Sequence, residues 1–284
     1  MDHYYSINER LHANFVRILT AKVSKEDIAE FERTTLPFHN RQWSEHVFNI
    51  MDIGSPCPND CRYCYMKTLR ARFFSTQEMR AIEDAPKVHK RASKKWRSNA
   101  SKKLFMFPSS HDIVPAILGD YIKSARCMLA AGHSLMLVSK PRMDCIAPIA
   151  EALDAYKARV IYRLTITSDK QEILNYWEPR APPYTERLDV LKMLHARGCI
   201  TSVSMEPFLS DPLPVITAIS PYVTETIWIG TMSGLKKGAT DAESARLAAL
   251  YDVHALRELA IALSARNIRW KAKTMVNIAR TFNE

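Results

Sequence analysis

The sequence predicts an α/β protein, an incomplete (βα)6 barrel with an N-terminal helical extension. Beyond residue 44, six short apolar segments alternate with amphipathic ones, which is typical of a parallel sheet covered by helices. The 284 residues include only seven glycines and neither G-x-G-x-x-G nor G-x-x-x-x-G-K, whereas a doubly wound nucleotide-binding sheet usually has a Gly-rich first turn. A complete eight-unit barrel needs about 250 residues, more than the six units have here.

Each element follows from its local pattern. Residues 1–44 are predicted to be mostly helical, because "SKEDIAEFERTT" begins with a Ser cap and an acidic first turn. Predicted strands cover 46–53, 103–108, 134–140, 158–168, 199–208 and 224–231, and "IRWKAKTM" is a candidate last strand. Predicted helices cover 65–82, 114–132, 142–156, 183–198, 211–220 and 241–267. Since no linker or repeat interrupts this pattern, residues 45–284 are predicted to form one domain.

The positive charge is concentrated in one segment. The net charge is +10, and residues 87–103 ("KVHKRASKKWRSNASKK") contain eight Lys and Arg and no acid, which leaves +2 (10 − 8) for the rest. Such a run can neutralise phosphates, and Trp96 within it could stack on a base. The alternative is a solvated segment with one packed Trp. A nucleic acid is therefore a candidate partner through Lys87–Lys103.

The composition suggests a cytoplasmic protein. Hydrophobic residues make up 47% and charged residues 25%, as in ordinary globular proteins. No apolar stretch approaches the ~20 residues of a membrane span, and the first residues lack the pattern of a secretory signal. In the cytoplasm thiols stay reduced, so clustered cysteines more often bind metal than form disulfides.

Three of the six cysteines lie within eight positions, at C-x3-C-x2-C spacing, after the first predicted strand: Cys57, Cys61 and Cys64. Three thiolates can bind three irons of a [4Fe–4S] cluster and leave the fourth iron open, whereas full ligation by protein takes four cysteines. A structural zinc ion would also need a fourth ligand, for which His46 or His89 is available. The remaining cysteines, Cys127, Cys145 and Cys199, are predicted to be buried as small apolar side chains.

At "CPNDCRYC" the chain resembles the radical S-adenosylmethionine superfamily, in which this motif follows the first strand and an aromatic residue, here Tyr63, often precedes the last cysteine. Within that superfamily, "FPSSHDIVP", "LVSK", "RLTITS", "WEPRAPPYTERL" and "SVSMEPF" are similar to the spore photoproduct lyase-like group. The resemblance covers about residues 45–235. It implies a [4Fe–4S] cluster whose open iron binds S-adenosylmethionine, and reductive cleavage to a 5′-deoxyadenosyl radical that abstracts hydrogen. It also implies an electron donor such as a flavodoxin or ferredoxin.

By this resemblance, the side chains that bind the cofactor are Tyr63, Ser110, Lys140, Thr167 and Ser168. A lysine suits a carboxylate, and hydroxyl groups suit a ribose. The alternatives are a solvated strand end for Lys140, and helix caps or turns for Ser110 and Ser168.

Three further polar residues at strand ends are candidate catalytic residues: His111, Asp112 and Glu206. The histidine and aspartate could serve as proton partners or bind substrate, and the aspartate could instead cap the following helix. Glu206 either faces the cavity or forms a salt bridge with Arg163.

The chain departs from spore photoproduct lyases at "FMFPSSHD", which lacks the cysteine that returns a hydrogen atom to the repaired thymine dimer. Cys199 is predicted at the opposite end of the barrel, so dimer repair by that route is not expected. The leading hypothesis is a radical S-adenosylmethionine enzyme, of lyase or transferase type, that acts on a nucleic acid or nucleotide. The alternatives are the same chemistry on a small molecule or protein, and a non-catalytic nucleic-acid-binding protein with a structural metal site.

Overall fold

The computed structural model describes residues 12–13, 16–17, 44, 46–74, 86–89, 96, 102–232, 235, 242–266 and 268–272. Most of the predicted N-terminal extension, residues 1–44, lies outside the described residues; within it, residues 12–13 and 16–17 are helical. Most of the basic segment 87–103 also lies outside them. The backbone N–H of Ala272 donates to Nδ1 of His12 over 3.4 Å, and the His12 ring lies edge-on to Trp270.

Seven strands form one parallel sheet: β1 (His46–Val47), β2 (Leu104–Met106), β3 (Ser134–Ser139), β4 (Val160–Thr165), β5 (Ile200–Met205), β6 (Ile227–Ile229) and β7 (Trp270–Ala272). Their order in the sheet is their order in the chain, and every neighbouring pair is parallel. A doubly wound sheet reverses its strand order at a switch point, whereas this order never reverses. The predicted incomplete barrel is confirmed as an open, curled half-barrel, and the candidate last strand is its seventh.

Eight helices of the described residues connect or follow the strands: α1 (Tyr65–Phe73), α2 (Leu118–Ala130), α3 (Met143–Ala152), α4 (Gln171–Trp177), α5 (Tyr184–Ala196), α6 (Pro212–Ile219), α7 (Ala242–Leu250) and α8 (Val253–Ala265). Helix α4 was not predicted. The single helix predicted over 241–267 is wrong: the chain breaks at Asp252, whose carboxylate accepts a hydrogen bond from the backbone N–H of His254 (2.8 Å) and so caps α8. None of the described helices has the length and apolar character needed to cross a bilayer.

Alternate residues of the central strands face opposite sides of the sheet. On β4, Tyr162 and Leu164 are fully buried in the core that the sheet forms with the helices. Arg163, between them, points to the other face, where its guanidinium donates to the Ser202 hydroxyl (3.0 Å) and pairs with Glu225 (2.8 Å). The concave side of the half-barrel therefore holds a buried ion pair on β4, and its top edge is where strand-end side chains meet.

Candidate functional site

A cavity of about 670 Å³ lies at the carboxyl ends of the strands. Nine of the eleven predicted site residues line it: Cys57, Cys61, Tyr63, Cys64, Ser110, His111, Asp112, Lys140 and Glu206. Its volume lies within the range of small-molecule sites in proteins, about 300–1,000 Å³. These residues meet in one cavity because the carboxyl ends of parallel strands share one edge, and their roles stay predictions.

The cysteine loop is wound into two tight turns. The backbone N–H of Asp60 donates to the carbonyl of Cys57 (3.1 Å), and that of Cys64 donates to the carbonyl of Cys61 (3.2 Å). Asp60 has a φ of 49°, a left-handed conformation that Asp tolerates better than most residues. Helix α1 begins directly after Cys64, so the third thiol is fixed at a helix start. All three thiols lie along the wall of the same cavity.

Asp112 connects this loop to the end of β3. Its carboxylate accepts hydrogen bonds from the side-chain amide of Asn59 (2.8 Å) and from the backbone N–H of Lys140 (2.7 Å). Its own backbone N–H donates to Sγ of Cys57 (3.4 Å). The following short helix is capped by Val114 without a side-chain bond, so the alternative of Asp112 as a helix cap is wrong.

The Lys140 ammonium lies in the cavity wall between the partly exposed Asp112 carboxylate and the fully buried Glu178 carboxylate. Its Nζ is 3.7 Å from an oxygen of Asp112 and 3.8 Å from an oxygen of Glu178. Burial by itself would lower the pKa of Lys140, but the facing negative groups, Asp112 foremost, raise its pKa well above the ordinary value. The side chain is therefore a protonated cation at neutral pH, and the solvated alternative is wrong because only 7% of the residue is exposed.

Glu178 is the centre of a buried polar network that sequence reasoning had left unassigned. Its carboxylate pairs with the Arg187 guanidinium (2.5 Å), and it accepts hydrogen bonds from the hydroxyls of Thr167 (2.9 Å) and Tyr63. Burial would raise the pKa of Glu178, but Arg187 and Lys140 hold that pKa below its usual value. Both members of the ion pair have fully buried side chains. The sequence feature that could have indicated this ion pair is the charged stretch "WEPRAPPYTERL", which contains both residues.

Two predicted cofactor residues lie deeper than expected. Thr167 and Ser168 are fully buried, and their hydroxyls bond within the protein, to Glu178 (2.9 Å) and to the Ser210 hydroxyl (2.7 Å) respectively. Ser168 also accepts the backbone N–H of Lys170 (2.9 Å), which is the turn chemistry considered as its alternative. Neither lies in the cavity wall, and their role in cofactor binding stays a prediction.

The loop after β2 is fixed by a residue that sequence reasoning missed. The side-chain carbonyl of Asn49, just beyond β1, accepts the backbone N–H groups of Ser109 (2.7 Å) and Ser110 (3.1 Å). His111 accepts the backbone N–H of Met51 at Nε2 (3.3 Å), so its proton lies on Nδ1, which faces the carbonyl of Asp112 (3.0 Å). Burial lowers the pKa of His111 to about 4, which makes the ring neutral at pH 7.

Glu206 lines the cavity just beyond the end of β5. Arg163, considered as its salt-bridge partner, pairs with Glu225. Among the other cysteines, Cys145 and Cys199 are buried as predicted, and Cys199 precedes β5 at the end opposite the cavity. Cys127 is exposed, so its predicted burial is wrong.

Trp96, from the basic segment, packs within the protein. Its ring lies edge-on to the rings of Phe48 (5.3 Å between centroids), Phe105 (5.2 Å) and His133 (5.6 Å). This matches the packed alternative rather than base stacking. Of the basic residues, Lys87 lies close to the cysteine loop, since its backbone N–H donates to the hydroxyl of Ser55 (2.9 Å), two residues before Cys57.

The three thiols match a cubane cluster in number, and all three cysteines line one cavity. Burial raises the pKa of Cys57 to about 11 and that of Cys61 to about 12, so the thiolate forms require a compensating cation. Metal coordination deprotonates a thiol outright. Within the described part of the chain, no three His, Cys, Asp or Glu side chains converge on a point as ligands of one metal ion would. In a cubane each thiolate binds its own iron.

Comparisons with known proteins show which proteins this chain resembles in sequence and in fold. No protein-family model matches the chain. It is 26% identical over 172 residues to the uncharacterized protein ORF301 of Acidianus two-tailed virus, a match covering 55% of this chain and 54% of that protein.

Among solved structures, Streptococcus suis SuiB bound to S-adenosylmethionine aligns with a TM-score of 0.51 and 11% identity, over 89% of this chain and 56% of SuiB. SuiB bound to its precursor peptide SuiA aligns with a TM-score of 0.51 and 7% identity, over 92% and 58%. The chain shares the fold of SuiB. It spans about half the length of these relatives.

Proposed function

We propose that the chain is a radical S-adenosylmethionine enzyme in which Cys57, Cys61 and Cys64 bind a [4Fe–4S] cluster. The observation that carries this proposal is that all three cysteines and the Lys140 ammonium line one cavity at the top edge of a half-barrel. The likeness to SuiB, which binds S-adenosylmethionine, supports the same cofactor here. When bound, the cluster and S-adenosylmethionine supply a carbon-centred radical for hydrogen abstraction.

The chain's own residues bind and orient the cofactor. The Lys140 ammonium is protonated and more than 3.5 Å from both carboxylates beside it, so it retains hydrogen-bonding capacity for an incoming carboxylate. Ser110 lies in the same wall with its backbone fixed by Asn49.

Purified protein, reconstituted with iron and sulfide without oxygen, tests this function. We expect about four irons per chain, and 5′-deoxyadenosine after reduction by dithionite in the presence of S-adenosylmethionine. Cys61→Ala should abolish both, whereas Cys127→Ala, which changes an exposed cysteine on α2, should change neither. A colourless protein that binds zinc instead would refute the function and favour the non-catalytic binding module.

For the substrate we propose a nucleic acid or nucleotide, and a lyase or transferase reaction. The support is the basic segment 87–103, whose first residue, Lys87, lies against the cysteine loop at the cavity. A protein that neutralises phosphates with Lys and Arg binds less tightly as salt rises. A peptide is the second candidate, because the SuiB structure with its precursor peptide has the same fold.

Binding measurements separate the two substrates. We expect single-stranded or duplex oligonucleotides to bind with a salt slope that becomes shallower by about two when Lys94→Gln and Lys95→Gln are combined. Lys123→Gln with Arg126→Gln removes the same charge from an exposed face of α2 and should leave the slope unchanged. Equal slopes for the two double variants would remove the support for nucleic acid.

A further inference from the structure

We propose that Asp112 is a positioning residue that, through Asn59, fixes the cysteine loop against the end of β3. This assignment differs from the proton-transfer or substrate-binding role that its position in the sequence suggested. It rests on the proposed function only for the identity of the metal group, because the contacts themselves belong to the polypeptide.

The first step of the argument is that most of the acceptor capacity of the Asp112 carboxylate is already used within the protein. Its Oδ1 accepts the backbone N–H of Lys140 (2.7 Å) and the hydroxyl of Ser139 (3.3 Å). Its Oδ2 accepts the amide of Asn59 (2.8 Å) and faces the Lys140 ammonium (3.7 Å). A carboxylate that receives this many donors favours its charged form and is not poised to exchange a proton near neutral pH.

The second step is that both the N–H and the carbonyl of the Asn59 side chain form hydrogen bonds. Its amide donates to Asp112, while its carbonyl accepts the Arg142 guanidinium (2.9 Å), which also donates to the carbonyl of Arg180 (2.6 Å). Asn59 is itself fully buried and lies midway between Cys57 and Cys61. The first half of the cysteine loop is therefore held by a chain of directional hydrogen bonds to residues that follow β2, β3 and α4.

The third step is the contact with a candidate metal ligand. The backbone N–H of Asp112 donates to Sγ of Cys57 (3.4 Å), so the same residue that orients the loop also hydrogen-bonds its first sulfur. Groups that hydrogen-bond or orient metal ligands affect metal affinity roughly 10–100-fold. Hydrogen bonds to the sulfurs also help to set the reduction potential of an iron–sulfur cluster.

The hydrogen bond between Asn59 and Asp112 can be tested by exchanging its donor and acceptor, because the Asp112 carboxylate accepts it and the Asn59 amide donates it. Asp112→Asn places an amide against an amide and Asn59→Asp a carboxylate against a carboxylate. The combined variant restores one donor and one acceptor with the direction reversed. In it, the new amide carbonyl can still accept from Lys140, and the new carboxylate can still accept from Arg142. Asp120→Asn, on the exposed side of α2, is the matched control.

The measurements are the loss of iron to a chelator, the reduction potential of the cluster, and the alkylation rate of Cys57 in the apoprotein followed by mass spectrometry. We expect each single variant to lose iron roughly 10–100-fold faster, and Asp112→Asn also to shift the potential. In the apoprotein of each single variant, Cys57 should be alkylated faster than in wild type. In the combined variant, the rate of iron loss, the potential and the alkylation rate should return most of the way to their wild-type values.

Single variants that behave like Asp120→Asn, or a combined variant as impaired as the worse single variant, would overturn this role of Asp112. If the wild-type chain binds no iron, the proposed function fails, yet the alkylation rates still test the positioning role.

Discussion

Replacing Glu178 with Gln tests whether the buried network holds the site together. The change keeps the shape of the side chain but leaves the Arg187 guanidinium, whose side chain is fully buried, without its carboxylate at 2.5 Å. Breaking a buried ion pair by removing one partner costs about 3–5 kcal/mol, because an uncompensated charge stays in the interior. At about 2–4 °C per kcal/mol, the midpoint of thermal unfolding should fall by roughly 6–20 °C.

Urea denaturation followed by circular dichroism measures the free energy of unfolding directly. The double variant Glu178→Gln with Arg187→Met removes both charges and should be less destabilised than the sum of the two single variants. The pKa of Glu178 is lowered from 4.5 in the folded state, so its contribution is present above pH 4.5 and is lost as pH falls through the folded pKa. The difference in unfolding free energy between wild type and Glu178→Gln should therefore become smaller below pH 4.5. A single variant within about 0.5 kcal/mol of wild type at pH 7 would refute the reasoning, since that is the range of ordinary surface substitutions.

Three further substitutions have defined outcomes. The pKa of His111 falls from 6.5 to about 4 on folding, so the unfolded chain binds a proton at a higher pH than the folded one. Between pH 6.5 and 4, the unfolding free energy of wild type should therefore fall by up to about 3 kcal/mol relative to that of His111→Gln, as measured by denaturation curves. Asp252→Ala removes the cap of α8 and should cost about 1 kcal/mol of unfolding free energy, whereas Asp252→Asn, which can still cap, should cost less. Leu164→Ala leaves a cavity in the centre of the sheet and should cost about 2–5 kcal/mol, with Leu164→Met as the milder control. Equal stabilities within any of these pairs, at the stated pH, would contradict that prediction.

The strands and the cavity were predictable because they depend on local patterns. Short apolar runs such as "SLMLVS" specify buried parallel strands, and topology then brings their carboxyl ends, with Lys140 and Glu206, to one edge. The cysteine spacing likewise predicted a single site, and all three thiols line it.

The partners of those residues were not predictable, because they depend on contacts between distant parts of the chain. Asn59 bonds to Asp112, and Tyr63 to Glu178, across separations of 53 and 115 residues. Nothing in the local pattern distinguishes a network carboxylate such as Glu178 from a surface one. The break at Asp252 was missed because apolar periodicity continues through it, while the cap depends on a single side chain.

The same long separations affect the order in which the protein matures. Cys57 contacts Asp112 over 55 residues, and the loop's Tyr63 contacts a residue beyond β4, so the loop has its full set of contacts only when the first four strands are in place. A zinc finger, by contrast, is unfolded until its metal binds. Under the proposed function, we expect iron to bind to the already folded apoprotein with little change in its helical content.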